Sequence, residues 1–238
     1  MATKLQIGEI TAEVVLKDIK NVHLSVYPPL GRVRIAAPLR MRLDTIRVFA
    51  LSKLAWIRRQ QEKLREQERE TPREYLDRES HYYRGRRYLL KVVEHDGAAG
   101  VELRHSRIVL HVRPGADEAK RQSVLDEWYR QRLKEEAAPL LAKWERTMSV
   151  NAGNVRVQKM KTRWGSCNPL SKSILLNLEL AKKPPECLEY IIVHELAHLL
   201  EPRHDPRFTV IMDRFLPKWQ FFRDELNRLP VRHERWGY

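Results

Sequence analysis

His194-Glu195-Leu196-Ala197-His198 sits inside an apolar run, with Tyr190-Ile191-Ile192-Val193 before it and Leu199-Leu200 after it. Residues four apart on a helix point the same way, so both imidazoles project from one side about one turn apart. That spacing suits two nitrogen ligands on one Zn²⁺, with Zn–N distances of roughly 2.0–2.1 Å. Histidine and glutamate in a core helix carry a desolvation penalty unless something pairs with them, and a metal ion removes it. Glu195 is rotated by about 100° from His194. It borders the metal's open side and reaches a water there without being a ligand. The chemistry implied is metal-assisted hydrolysis.

A catalytic zinc takes three protein ligands and keeps a fourth position for water. His204, ten residues after His194, is the natural third ligand. Pro202 lacks an N–H and clashes with the preceding turn, so the helix should end there and the chain should bring His204 back. Glu201 and Asp205 are rival oxygen ligands. Asp205-Pro206 also reads as an N-cap followed by proline at the first position of a new helix. The ten-residue spacing is that of the metzincins, but their glycine position holds Glu201 here, which argues against that family.

The 238 residues suffice for one large domain or two small ones. Cys167 and Cys187 form no CxxC pattern, so neither a disulfide framework nor a thiolate zinc site is expected. The N-terminal residues show no signal segment, and no apolar run reaches the roughly 18 residues of a membrane helix. The expectation is a soluble, cytoplasmic protein. Net charge is +14, which favours anionic partners, nucleic acid among them. Residues 153–183 concentrate this bias: Arg156, Lys159, Lys161, Arg163, Lys172, Lys182 and Lys183 face one acid, Glu179.

Residues 5–16, 20–27 and 32–36 alternate like strands, with a turn at Tyr27–Gly31. A helix is expected from Leu43 to about Glu70, then a charged segment over 65–80. Strands follow at 88–93 and 107–112 around a Gly97–Gly100 turn. A long helix over 117–148 contains Pro139, which predicts a kink or break. Val155–Val157 and Ser173–Leu178 read as strands, before helices near 185–200, 205–215 and 217–228. No internal repeat is evident. The fold class is α+β: an N-terminal strand-rich half, then a zincin-like part in which helices flank a short sheet. Three parts are expected: 1–80, strand-rich with a long helix; 81–150, a strand pair and long helix; and 151–238, the zinc-binding catalytic region.

Arg163-Trp164-Gly165-Ser166-Cys167, then Asn177 on a strand, then HELAHL over 194–199 and His204, resemble the YgjP-like metallopeptidase family, zinc hydrolases related to SprT-like and WLM proteases. The likeness covers most of the chain, including Val33–Pro38 and Trp56-Ile57. Arg203 and Asp205 stand where the family commonly has Asn and Ser. The resemblance implies zinc on His194, His198 and His204, with Glu195 as general base. Glycine after Trp164 suggests a tight turn or a close backbone approach. Arg163 is a candidate for stabilising developing negative charge or an anionic substrate group. The competing reading makes Trp164 a core residue and Arg163 a cap on local carbonyls. The strand 173–178 is expected to pair with extended peptide, with Trp164, Ser166 and Asn177 as substrate contacts.

The expected function is a zinc metallopeptidase with a peptide or protein substrate. Two alternatives keep the site: hydrolysis of a phosphoanhydride such as a nucleoside triphosphate, or a DNA-associated protease or binding module.

Overall fold

Strand alternation builds the first part of the fold. The computed structural model describes residues 2–27, 31–66, 73–160 and 163–229. Residues 28–30 of the expected turn, 67–72 of the expected charged segment, and Lys161 and Thr162 lie outside the described residues. The chain divides into two compact units, Met1–Glu68 and Arg69–Tyr238. Among the described residues, no helix is long and apolar enough to cross a membrane.

In the first unit, β1 (Ala2–Ile7), β2 (Ile10–Lys17), β3 (His23–Tyr27) and β4 (Arg32–Pro38) form one sheet in the order β1-β2-β4-β3. The stretch 5–16 is a hairpin turned at Gly8-Glu9 rather than one strand. Its alternation puts Leu5, Ile7, Ala12 and Val14 on one face with Val33, Ile35 and Ala37 of β4, all buried. Ile46, Ala50 and Ile57 complete this core from α1 (Leu43–Ser52) and α2 (Leu54–Glu66). A single helix was expected here, and it breaks at Lys53. The Ser52 hydroxyl donates to the Phe49 carbonyl (2.7 Å), while the Lys53 N–H bonds to the Ala50 carbonyl (3.1 Å). Such competition from a serine side chain interrupts the ladder.

In the second unit, β5 (Ser80–Tyr83), β6 (Arg86–Glu94), β7 (Gly100–Arg104) and β8 (Arg107–Val112) form a sheet in the order β5-β6-β8-β7. Both four-stranded sheets have a parallel central pair and antiparallel outer strands. In both, a helix starts eleven residues after the first residue of the fourth strand, Arg32 to Leu43 and Arg107 to Glu118. The pattern therefore occurs twice, although the sequence shows no repeat. What the copies share is alternation, with Val33, Ile35 and Ala37 in one and Ile108, Leu110 and Val112 in the other buried on the fourth strand. Arg84 and Gly85 turn the β5–β6 hairpin with φ of 50° and 73°, the left-handed pair that a two-residue type I′ turn requires.

α3 (Glu118–Met148) starts at Asp117, whose carboxylate accepts from the Lys120 N–H (2.7 Å). Of the expected kink or break at Pro139, the break does not occur, and the helix continues through it. Pro139 lies on the exposed face, where solvent takes up the carbonyl that its missing N–H leaves free. The opposite face buries Leu125, Tyr129, Leu133, Ala137, Trp144 and Met148.

β9 (Asn154–Gln158), β10 (Gly165–Asn168) and β11 (Ser173–Asn177) form a third sheet in the order β10-β11-β9. A 3₁₀ turn (Leu178–Lys182) leads to α4 (Pro185–Ala197), α5 (Pro206–Phe215) and α6 (Trp219–Arg228). The backbone N–H groups of Arg84 and Gly85 donate to the carbonyls of Ala181 and Lys182 (3.0 and 3.1 Å), which ties the β5–β6 hairpin to the 3₁₀ turn. α4 is buried nearly all round, against α3, α5, α6 and β10, which accounts for its lack of a polar stripe. The segments 81–150 and 151–238 contribute to one continuous core that runs from Tyr75 to Leu226. The architecture is α+β, as expected.

Candidate metal centre

The buried α4 ends where the chemistry begins. His194 lies on its last turn. His198 is its C-cap and keeps helical geometry (φ −67°, ψ −17°), so the two imidazoles stay one turn apart. Short i→i+3 bonds then tighten the chain, from Leu199 N–H to Leu196 O and from Leu200 N–H to Ala197 O (3.0 Å each). Pro202 follows, and the chain returns as anticipated. His204 Nε2 lies 3.0 Å from His194 Nε2. Ligand atoms of His194, His198 and His204 all fall within 4.8 Å of one another.

Electrostatics keep this cluster ready for a cation. Burial, then the neighbouring His198 and His204, lower His194 to a pKa of about 3. Burial also lowers His198. His198 Nδ1 lies 3.2 Å from the Glu201 carbonyl oxygen. That contact fixes the Nδ1–H tautomer and leaves Nε2 as a lone-pair donor. His194 Nδ1 is buried without a hydrogen-bond partner. At 3.0 Å the two Nε2 atoms must share a proton or a cation, because two bare lone pairs at that distance would repel. Three imidazoles converging in this way, two of them with lowered proton affinity, fit a divalent metal with borderline-soft preferences.

The rival oxygen ligands are used elsewhere. The Glu201 carboxylate accepts from the Arg203 N–H (3.2 Å). The Asp205 carboxylate caps α5, accepting from Arg207 N–H (2.9 Å) and Phe208 N–H (3.1 Å). This cap aims the turn that carries His204. Asp205→Ala is expected to cost about 1 kcal/mol of stability and to weaken metal binding. Thermal melts and a metal titration read both, and unchanged affinity would show that the cap does not hold His204. Sequence reading missed Phe208, a buried ring whose centroid lies 5.0, 4.7 and 4.7 Å from those of His194, His198 and His204. Its signal was its place three residues after the N-cap, on the first turn behind the third ligand.

Glu195 is 4% exposed, and burial raises its carboxyl to a pKa of about 8 against an opposing pull from Arg163. It packs on the backbone of Gly165, where a Cβ would lie 2.4 Å from Glu195 Oε1. The glycine after Trp164 thus serves a close approach. Arg163 itself is exposed. Trp164 is half-buried against the core, with Lys183 Nζ 5.8 Å from its ring centroid. Side chains alternate across a strand, so Ser166 points to the face opposite Gly165 and Glu195.

Two expectations need correction. The strand 173–178 cannot pair with substrate, because β11 is central, with β9 on one side and β10 on the other. Asn177 does not face a cleft. It is buried, and its amide is spent on backbone groups of Met160, Arg163 and Glu179. The edges of this sheet are β9 and β10 among the described strands, and β10 is the one that carries Gly165 beside Glu195. Asn177 N–H donates to Trp164 O (2.9 Å), making that a bonded pair of the antiparallel ladder. Bonded and non-bonded pairs alternate. Gly165 and Cys167, opposite Leu176 and Ile174, therefore turn their N–H and C=O groups toward the open edge.

The model of the YgjP-like family, described as a metallopeptidase domain, matches residues 20–229. The chain belongs to the YgjP-like metallopeptidase family. Membership makes it a metallopeptidase-type hydrolase and implies a divalent metal, for which the three-histidine cluster of this YgjP-like chain is suited. Among solved structures it is similar to the metallopeptidase zymogen abylysin of Pyrococcus abyssi, at 22% identity and TM-score 0.35, over 39% of this chain and 97% of that one. It is also similar to the metallopeptidase zymogen jannalysin of Methanocaldococcus jannaschii, at 20% identity and TM-score 0.34, over 40% and 92%. No curated relative matches this YgjP-like chain.

Proposed function

We propose that the protein is a zinc-dependent peptidase that cleaves extended peptide segments, with His194, His198 and His204 holding the metal and Glu195 moving the proton. The observation that carries this reading is a buried glutamate, seated on Gly165, adjacent in sequence to the first histidine of a cluster of three converging imidazoles. A zinc ion held by these three histidines would supply Lewis-acid activation of water and of the scissile carbonyl. The Glu195 carboxylate takes a proton from the attacking water, and its raised proton affinity suits it to hold that proton. The same group then delivers the proton to the leaving amine. Arg163, whose charge reaches Glu195, stabilises negative charge developing on the carbonyl oxygen. The outward backbone groups of Gly165 and Cys167 accept an extended peptide as an added strand.

Stripping the protein with a chelator is expected to abolish cleavage of an unstructured protein such as casein. One equivalent of zinc should restore it. A protein that never holds near-stoichiometric zinc overturns the proposal, as does one that hydrolyses nucleoside triphosphates in place of peptides.

A further inference from the structure

Asn177 ends β11, yet its side chain serves another part of the chain. Its Nδ2 donates to Met160 O (3.0 Å) and Arg163 O (2.7 Å). Its Oδ1 accepts from Glu179 N–H (3.2 Å) and, at 3.4 Å, from Met160 N–H. Both donors and both acceptor positions of the amide are therefore used. The backbone continues the clasp through the bond from Asn177 N–H to Trp164 O (2.9 Å). One residue, 5% exposed, thus grips the chain just after β9, the carbonyl of Arg163, the residue entering β10 and the start of the 3₁₀ turn.

Every group that it holds leads to the reaction centre. Arg163 carries the charge felt by Glu195. Gly165, two residues further on, is the surface on which the Glu195 carboxylate rests. The edge of β10 begins at the same glycine. A core amide needed only to satisfy its own polarity could bond to any backbone nearby. This one spans 14 and 17 residues of sequence to reach Arg163 and Met160, the former two residues before the glycine on which Glu195 rests.

We propose that Asn177 is a positioning residue: its amide holds the backbone of Met160 and Arg163, and so sets Arg163 and the open edge of β10 against Glu195. This rests on the peptidase reading for its kinetic consequence, but not for its structural one. Only an amide can donate to two carbonyls while accepting from two N–H groups at this site. Aspartate has the same shape and keeps the acceptors, but sets an anionic oxygen against the Met160 and Arg163 carbonyls.

The test compares wild type, Asn177→Asp and Asn177→Ser. In the metal-free proteins, hydrogen exchange at the amides of Ser166 and Asn177 should quicken at least tenfold in Asn177→Asp, with the amides of α4 and α3 unchanged. Zinc stoichiometry should stay at the wild-type value, since the histidines lie on other elements. Peptide kcat/KM per folded molecule should fall about 30-fold in Asn177→Asp. Asn177→Ser retains one donor and should fall between the two. Uniformly faster exchange over the whole unit, with kcat/KM per folded molecule unchanged, would mean ordinary core stability and overturn the proposal. Should Asn177→Asp fail to fold, Asn177→Ser carries the same two readouts. If wild type cleaves no peptide, the peptidase reading fails while the exchange result still decides the clasp.

Discussion

On the proposed reading, Glu195→Gln is expected to lower peptide hydrolysis by about 10²–10⁴-fold, the range of a lost general acid–base, and to leave zinc content unchanged. The amide matches the carboxylate in shape, so packing against Gly165 is preserved. It cannot take a proton from water at neutral pH, nor return one to the leaving amine. The three imidazoles are untouched, and burial still keeps His194 unprotonated. Metal analysis and single-turnover cleavage on the same preparation check the pair of outcomes. Loss of zinc together with activity would make Glu195 part of the metal shell. Retained activity would move the proton transfer to another group.

Gly165→Ala is expected to produce a related defect from the opposite side. The new Cβ would stand 2.4 Å from Glu195 Oε1 and 2.9 Å from both Cδ and Cγ. The methyl group cannot be relieved by bending the end of the side chain alone, because Cγ is also in its way. The whole Glu195 side chain must shift. A misplacement of about 1 Å at a reacting group costs on the order of 100-fold, and kcat should fall by that much with KM little changed. Stability should change by only about 1 kcal/mol, since Gly165 does not use the left-handed region of backbone space. Wild-type kcat in this variant would mean that the position of Glu195 is not critical.

The parts of this protein legible in its sequence are those written in local patterns. The His194 to His198 spacing, Pro202 and the Asp205-Pro206 start of α5 each act over a few residues, and together they place the three imidazoles. α3, α4, α5 and α6 announced themselves by helical spacing or caps. β10 did not, because Gly165-Ser166-Cys167-Asn168 has no apolar alternation and is a strand only through its pairing with β11. The break at Lys53 turned on one serine hydroxyl. Asn177 was placed on its strand correctly but given the wrong task, because its partners lie 14 and 17 residues back. The likeness of the two four-stranded sheets is a likeness of connection, and conservation of strand order leaves no trace in residue identity.

β10 is four residues long. An edge so short offers a visiting chain few backbone bonds, and only to a segment whose own N–H and C=O groups are free. On the proposed reading, the shape or sequence of a target protein matters less than how often the target frays. A segment whose local opening costs about 4 kcal/mol is available in roughly one molecule in a thousand at any instant. Cleavage then follows that open population wherever reclosing outpaces hydrolysis. On the same reading, the short edge would make the rate of cleavage a gauge of a target's local instability, with well-folded proteins spared.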